Sequence, residues 1–133
     1  MSRAQVLGDY LAEVRARPFD WAAWNCCHFV AGWVLRQAGR DVMAGLPPMH
    51  SRLTAHRLIG QLGGSLRDAW SRQMGGARPI AATLAEVGDV VLVEADDVQA
   101  VGICCGRTAA VLTERDGVAH IEMMQASAAW RVA

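Results

Sequence analysis

With 133 residues, 13 basic against 13 acidic side chains and therefore no formal net charge, the chain lacks the basic face that nucleic acid or an anionic membrane surface would require. Its hydrophobic fraction of 53% is enough for one core that folds without disulfides. No apolar run reaches the ~18 residues of a membrane span, and the N-terminus lacks the shape of a signal peptide. These features predict a single domain over residues 1–133, no nucleic-acid partner, no membrane span and synthesis in a reducing compartment. Every basic residue is arginine, a bias that a GC-rich genome explains without any selection for bidentate contacts.

In chain order, Val6, Leu7, Tyr10, Leu11 and Val14 recur on one face of a first helix that Ser2 can cap and Pro18 ends. Asn25 is the N-cap of a second, whose Phe29, Val30, Trp33 and Val34 recur at helical spacing until Gly39 supplies a left-handed stop. A loop at Gly45-Leu46-Pro47-Pro48 precedes a third helix, capped by Ser51, carrying Leu53, Leu58, Ile59 and Leu62, and closed by Gly63-Gly64. A short helical turn around Leu66 to Trp70 leads to Gly75-Gly76, read as a flexible joint.

From Gly88 the hydrophobic period changes. Strands are expected over residues 89–94, 100–105, 109–113, 118–123 and 129–132, with Asp116-Gly117 turning the chain before the fourth. Asp96-Asp97 sits in the first hairpin, where two acids are ordinary solvated turn formers rather than metal ligands. This order predicts an α+β fold, with N-terminal helices packed on a C-terminal antiparallel sheet of four to five strands. The helix that begins at Cys26 should lie centrally on the sheet, and Gly102 should mark their closest approach.

The chemistry concentrates at the start of the second helix. Cys26 follows the Asn25 cap, where unpaired backbone N–H groups and the positive end of the helix dipole favour a thiolate and lower its pKa. Trp21 and Trp24 flank it and are read as core packing first, with the wall of a binding cleft, together with Asn25, as the functional alternative.

Three short motifs in order carry a resemblance. Asn25-Cys26-Cys27-His28-Phe29-Val30 resembles the Asp-Cys-Ser-Gly-Phe-Val signature of the NlpC-like branch of papain-fold cysteine peptidases. Gly88-Asp89-Val90-Val91-Leu92 resembles that family's Gly-Asp-Leu-Val strand, and the run from Ala100 to Gly106 its His-Val-Gly-Ile-Tyr-Leu-Gly strand. The Phe19-Asp20-Trp21 lead-in and the Trp130-Arg131-Val132 ending further resemble a small group of such proteins from the tail-assembly regions of phages and prophages.

The resemblance implies a papain-like fold with Cys26 at the nucleophile position and Ala100 at the position of the catalytic histidine. The family's third polar residue falls near Leu112 or Thr113. Cysteine attack on an amide needs a base that then protonates the leaving amine, so Cys26 with Ala100 lacks half of that chemistry. Among other histidines, His28 lies about 200° around the helix from Cys26. His120 is the better substitute base, although strand alternation places it with Val118 and Glu122 on the more solvated face. His50 and His56 read as surface residues.

The four cysteines form two adjacent pairs, Cys26-Cys27 and Cys104-Cys105. Neighbours point about 100° apart on a helix and to opposite faces of a strand, so neither pair is expected to chelate a metal, and no metal or other cofactor is expected. Cys104 is expected to face the helix with Ala100 and Gly102, and Cys105 to face away with Val101 and Ile103, which leaves Cys26 and Cys104 as the thiols that could meet. By resemblance the chain is a structural subunit of a phage or prophage tail tip with a degenerate cysteine peptidase site. Its partners would be other tail proteins, with peptidoglycan as a further one, and its place the virion after synthesis in the bacterial host cytoplasm. The alternative is an active thiol amidase or peptidase cleaving peptidoglycan stem peptides with Cys26 as nucleophile.

Overall fold

The computed structural model describes residues 1–95 and 98–133, so the Asp96-Asp97 turn lies outside the described residues. Four helices come first: α1 (Arg3–Val14), α2 (Cys26–Ala38), α3 (Arg52–Leu62) and α4 (Leu66–Gln73). Five strands follow: β1 (Val90–Ala95), β2 (Val98–Cys104), β3 (Thr108–Thr113), β4 (Gly117–Glu122) and β5 (Ala126–Trp130). The strands form one antiparallel sheet in the order β4-β3-β2-β1-β5.

Local chemistry accounts for the helix ends. Ser2 and Gln5 make a reciprocal capping box at the start of α1. Ser51 and Ser65 cap α3 and α4 through the amides of Thr54 and Asp68. Gly39 stops α2 in a left-handed conformation at φ 71° that a β-carbon would disfavour. α1 ends at Val14, before Pro18 can act, and α4 extends beyond the single turn expected of it. The Gly75 and Gly76 amides are tied to the Arg72 and Ser71 carbonyls, so this pair closes α4 rather than forming a free joint. The last strand runs over Ala126–Trp130, earlier than expected, and Met123–Gln125 form a 3₁₀ turn instead of extending β4.

α2 lies centrally on the sheet, against β2 and β3. Its Phe29, Val30, Trp33 and Val34 are fully buried against Val101 and Ile103 of β2 and Leu112 of β3, with Leu7 and Tyr10 of α1 completing the core. The Tyr10 hydroxyl donates to the Phe29 carbonyl and Trp33 Nε1 to the Gly88 carbonyl at 2.7 Å, so the polar tips of these two buried rings are satisfied.

The face of β2 is the reverse of the expectation. Val101 and Ile103 point to α2, while Ala100 and Cys104 pack on the far side with Val91, Val93 and Val111. The bulkier β2 side chains fill the helix-side core. Gly102 accordingly marks an approach to β3 and not to the helix: a β-carbon there would stand 2.7 Å from the Ala110 carbonyl oxygen and 2.8 Å from Val111 Cγ2.

Asp89, just before β1, is fully buried and ties the chain ends together. Its carboxylate accepts from the Glu86 amide at 2.9 Å and the Val132 amide at 3.1 Å, with the Arg3 guanidinium at 3.4 Å. Arg3 also donates to the Val132 carbonyl. No described helix is long and apolar enough to cross a membrane.

Candidate functional site

The site is built on the first turn of α2. The buried Asn25 accepts from the Cys27 amide at 2.9 Å and the His28 amide at 3.2 Å through Oδ1, and its Nδ2 donates to the Trp21 carbonyl at 3.0 Å. His28 completes the cap, with Nδ1 accepting from the Asn25 N–H at 3.1 Å. A ring nitrogen that accepts a hydrogen bond is unprotonated, and burial together with the nearby Arg17 cation holds the His28 pKa below its ordinary value. His28 is thus a capping residue and not a base for Cys26.

This cap places Cys26 at the first residue of α2. The groups that act on its thiol are the Cys27 side chain first and then the backbone of Val101, Cys27 and Cys26. These donors, led by the Cys27 S–H, lower the Cys26 pKa against the opposing effect of burial. The Cys27 thiol is pushed well up, because it donates to its neighbour and is itself desolvated. Both residues are half-buried. Cys27 also borders an apolar cavity of about 30 Å³ between the start of α2 and the α3–α4 pair, lined by Met43, Met49, Leu58 and Trp70.

Cys26 and Cys104 do not meet, because they lie on opposite faces of the sheet. Cys104 lies on the far face of the sheet, where the Gly106 amide approaches its sulfur at 3.5 Å, and burial raises the pKa of both Cys104 and Cys105. Cys105 packs with the helix-side core, so this pair divides between the two faces.

The remaining expected residues fall as follows. Ala100 points away from Cys26, and β2 presents Val101 to the helix instead. Leu112 is buried in the helix-side core, with no polar group to offer. His120 on β4 pairs across to Ala110, is exposed, and shares a 3.1 Å hydrogen bond with the Thr108 hydroxyl. His50 and His56 are exposed. None of the four histidines is among the groups that set the Cys26 thiol.

Trp24 is buried, edge-on to Phe29, with the Arg17 guanidinium 3.9 Å above its ring. It belongs to the core. Trp21 is half-buried, edge-on to Phe19, and its Nε1 donates to Glu114 at 3.2 Å, with Arg52 on the other carboxylate oxygen at 3.9 Å. Sequence reasoning missed Val101, Glu114 and the part played by Cys27. Only the adjacency of the two cysteines was there to be read.

The helices, the antiparallel sheet and a cysteine at the start of the helix that crosses it define an α+β fold of the NlpC/p60 papain-like class. In keeping with this, a solved structure described as the NlpC/p60 domain of the peptidoglycan hydrolase SagA superposes with a TM-score of 0.61 at 14% identity, covering 98% of this chain and 99% of that one. The chain belongs to the family described as "Domain of unknown function (DUF6950)", whose family model matches residues 2–132. Among curated proteins, none matches it in sequence.

Proposed function

We propose that this chain is a structural subunit of a phage or prophage tail tip whose cysteine peptidase site is degenerate. The observation that carries the degenerate half is what β2 offers on the side of Cys26: Val101, with Ala100 on the far face and no imidazole among the groups that act on the thiol. Backbone donors hold a thiolate, but they cannot take up a proton and return it to a leaving amine. Its placement in a tail rests on the Phe19-Asp20-Trp21 and Trp130-Arg131-Val132 segments and on their likeness to tail-region proteins. Other tail proteins are the proposed partners, and the assembled virion the proposed location.

The second reading, an active thiol amidase acting on peptidoglycan stem peptides, is favoured by the lowered pKa of Cys26 among amide donors that suit an oxyanion. Genetics in the element that encodes the chain separates the two. If the chain acts through its surfaces, deletion stops assembly or genome delivery while Cys26→Ala leaves infectivity intact. Loss of infection by Cys26→Ala in particles that assemble normally would make the thiol chemically required and establish the second reading.

A further inference from the structure

The two edges of the sheet are finished differently. On the outer side of β5, Ile80 forms a bridge with Ala129, with backbone hydrogen bonds of 2.7 Å and 3.0 Å in the two directions, so the chain's own backbone takes that edge. At the other end of the strand order, β4 pairs with β3 through all six of its residues without a bulge. Among the described residues no strand or bridge lies on its outer side. β4 also carries no proline and no lysine, two usual means of keeping an edge strand from pairing.

The register identifies the backbone groups that face outward. The Met123 amide donates to the Arg107 carbonyl at 3.1 Å, directly beyond the pairing of Thr108 with Glu122, and antiparallel hydrogen bonding alternates along a strand. Gly117, Ala119 and Ile121 therefore bond to β3, and the N–H and C=O groups of Val118, His120 and Glu122 point to the open side.

We propose that this edge is a dimerisation site, at which β4 pairs antiparallel with β4 of a second copy of the chain and joins two sheets into one. The outward set matches itself when His120 stands opposite His120 of the second copy and Val118 opposite its Glu122. That register makes about six backbone hydrogen bonds and keeps each face of the sheet continuous. It also sets each Glu122 carboxylate diagonal to an imidazole of the other copy, a spacing that long side chains bridge. Among the described residues Glu122 makes no ion pair, and His120 is bonded to Thr108 through Nδ1, which leaves both with capacity for that contact. The chain has no formal net charge to push copies apart. Because Ile80 occupies the β5 edge, the pairing closes as a two-fold dimer instead of growing into a filament.

Sedimentation equilibrium of the full chain should show a concentration-dependent monomer–dimer equilibrium and no larger species. Hydrogen exchange on the unsubstituted chain should slow at the Val118, His120 and Glu122 amides as concentration rises. His120→Lys, at an exposed side chain, sets two cations opposite each other and should weaken the dimer roughly tenfold or more, while Ser127→Lys on β5 should leave it unchanged. Under mild oxidation His120→Cys should give a dimer linked between the two introduced thiols, since hydrogen-bonded partners stand about 5.5 Å apart at Cα, within the disulfide range. A chain that stays monomeric at high concentration would leave the edge to an extended segment of another protein and overturn the proposal. A dimer indifferent to His120→Lys, or one whose linkage maps elsewhere, would overturn it equally.

Discussion

Val101 of β2 and Cys26 of α2 lie in one cluster on the helix side of the sheet, and it is the Val101 backbone, not an imidazole, that lowers the thiol's pKa from the strand side. Val101 and Ile103 are committed to the core under α2, with Cys26 packed against the same cluster. These groups favour negative charge on the sulfur, and no histidine is among them.

Because the Cys27 thiol is the leading donor to Cys26, Cys27→Ala should raise the Cys26 pKa. The iodoacetamide rate of the native protein, followed across pH, should rise at higher pH in the variant than in the unsubstituted chain. Coincident profiles would show that Cys27 does not hold the Cys26 thiolate.

His28 predicts a pH dependence of stability. Its folded pKa is lowered, chiefly by burial and then by Arg17, with Asp20 opposing. The unfolded chain therefore takes up the proton first. The contribution of the cap is complete above about pH 6.5, the unperturbed imidazole value, and is lost as pH falls through the lowered folded value. His28→Gln, which keeps an acceptor at this position of a capping box, should flatten that part of the urea-midpoint profile. His28→Ala should cost about 1 kcal/mol near neutral pH. A His28→Gln protein with an unchanged acid limb would remove imidazole protonation as its cause.

Much of this arrangement was legible because it is local. Asn25, Gly39 and Ser51 mark helix ends through their own side chains or lack of one, and the change of period at Gly88 separates helices from strands. The facing of β2 was not legible, since Ala100, Val101, Gly102, Ile103 and Cys104 are all apolar and alternation then carries no sign. That one-residue slip made Ala100 appear to face Cys26 when it lies on the other side of the sheet. His28 escaped notice as a cap because imidazole Nδ1 stands where glutamate or glutamine usually serves. Asp89 reads as part of a short motif, and nothing near it in sequence points to Arg3 or Val132.

Asp89→Ala should be among the more damaging single substitutions. It leaves the Glu86 and Val132 amides without their acceptor and frees Arg3 from a buried carboxylate. A loss of about 3 kcal/mol or more is expected from urea unfolding. Asp89→Asn, which keeps one carbonyl oxygen, should lose less. A loss under about 1 kcal/mol for Asp89→Ala would mean that the terminal network is not structural.

The most direct measurement is of hydrolysis. Purified chain is incubated near neutral pH with soluble peptidoglycan fragments bearing intact stem peptides, and the products are resolved by mass spectrometry beside a Cys26→Ala control. With a thiol held by backbone amides and no imidazole to move the proton, the account predicts no cleavage beyond the control. Stem-peptide cleavage that disappears in Cys26→Ala would contradict it and make the chain a working thiol amidase.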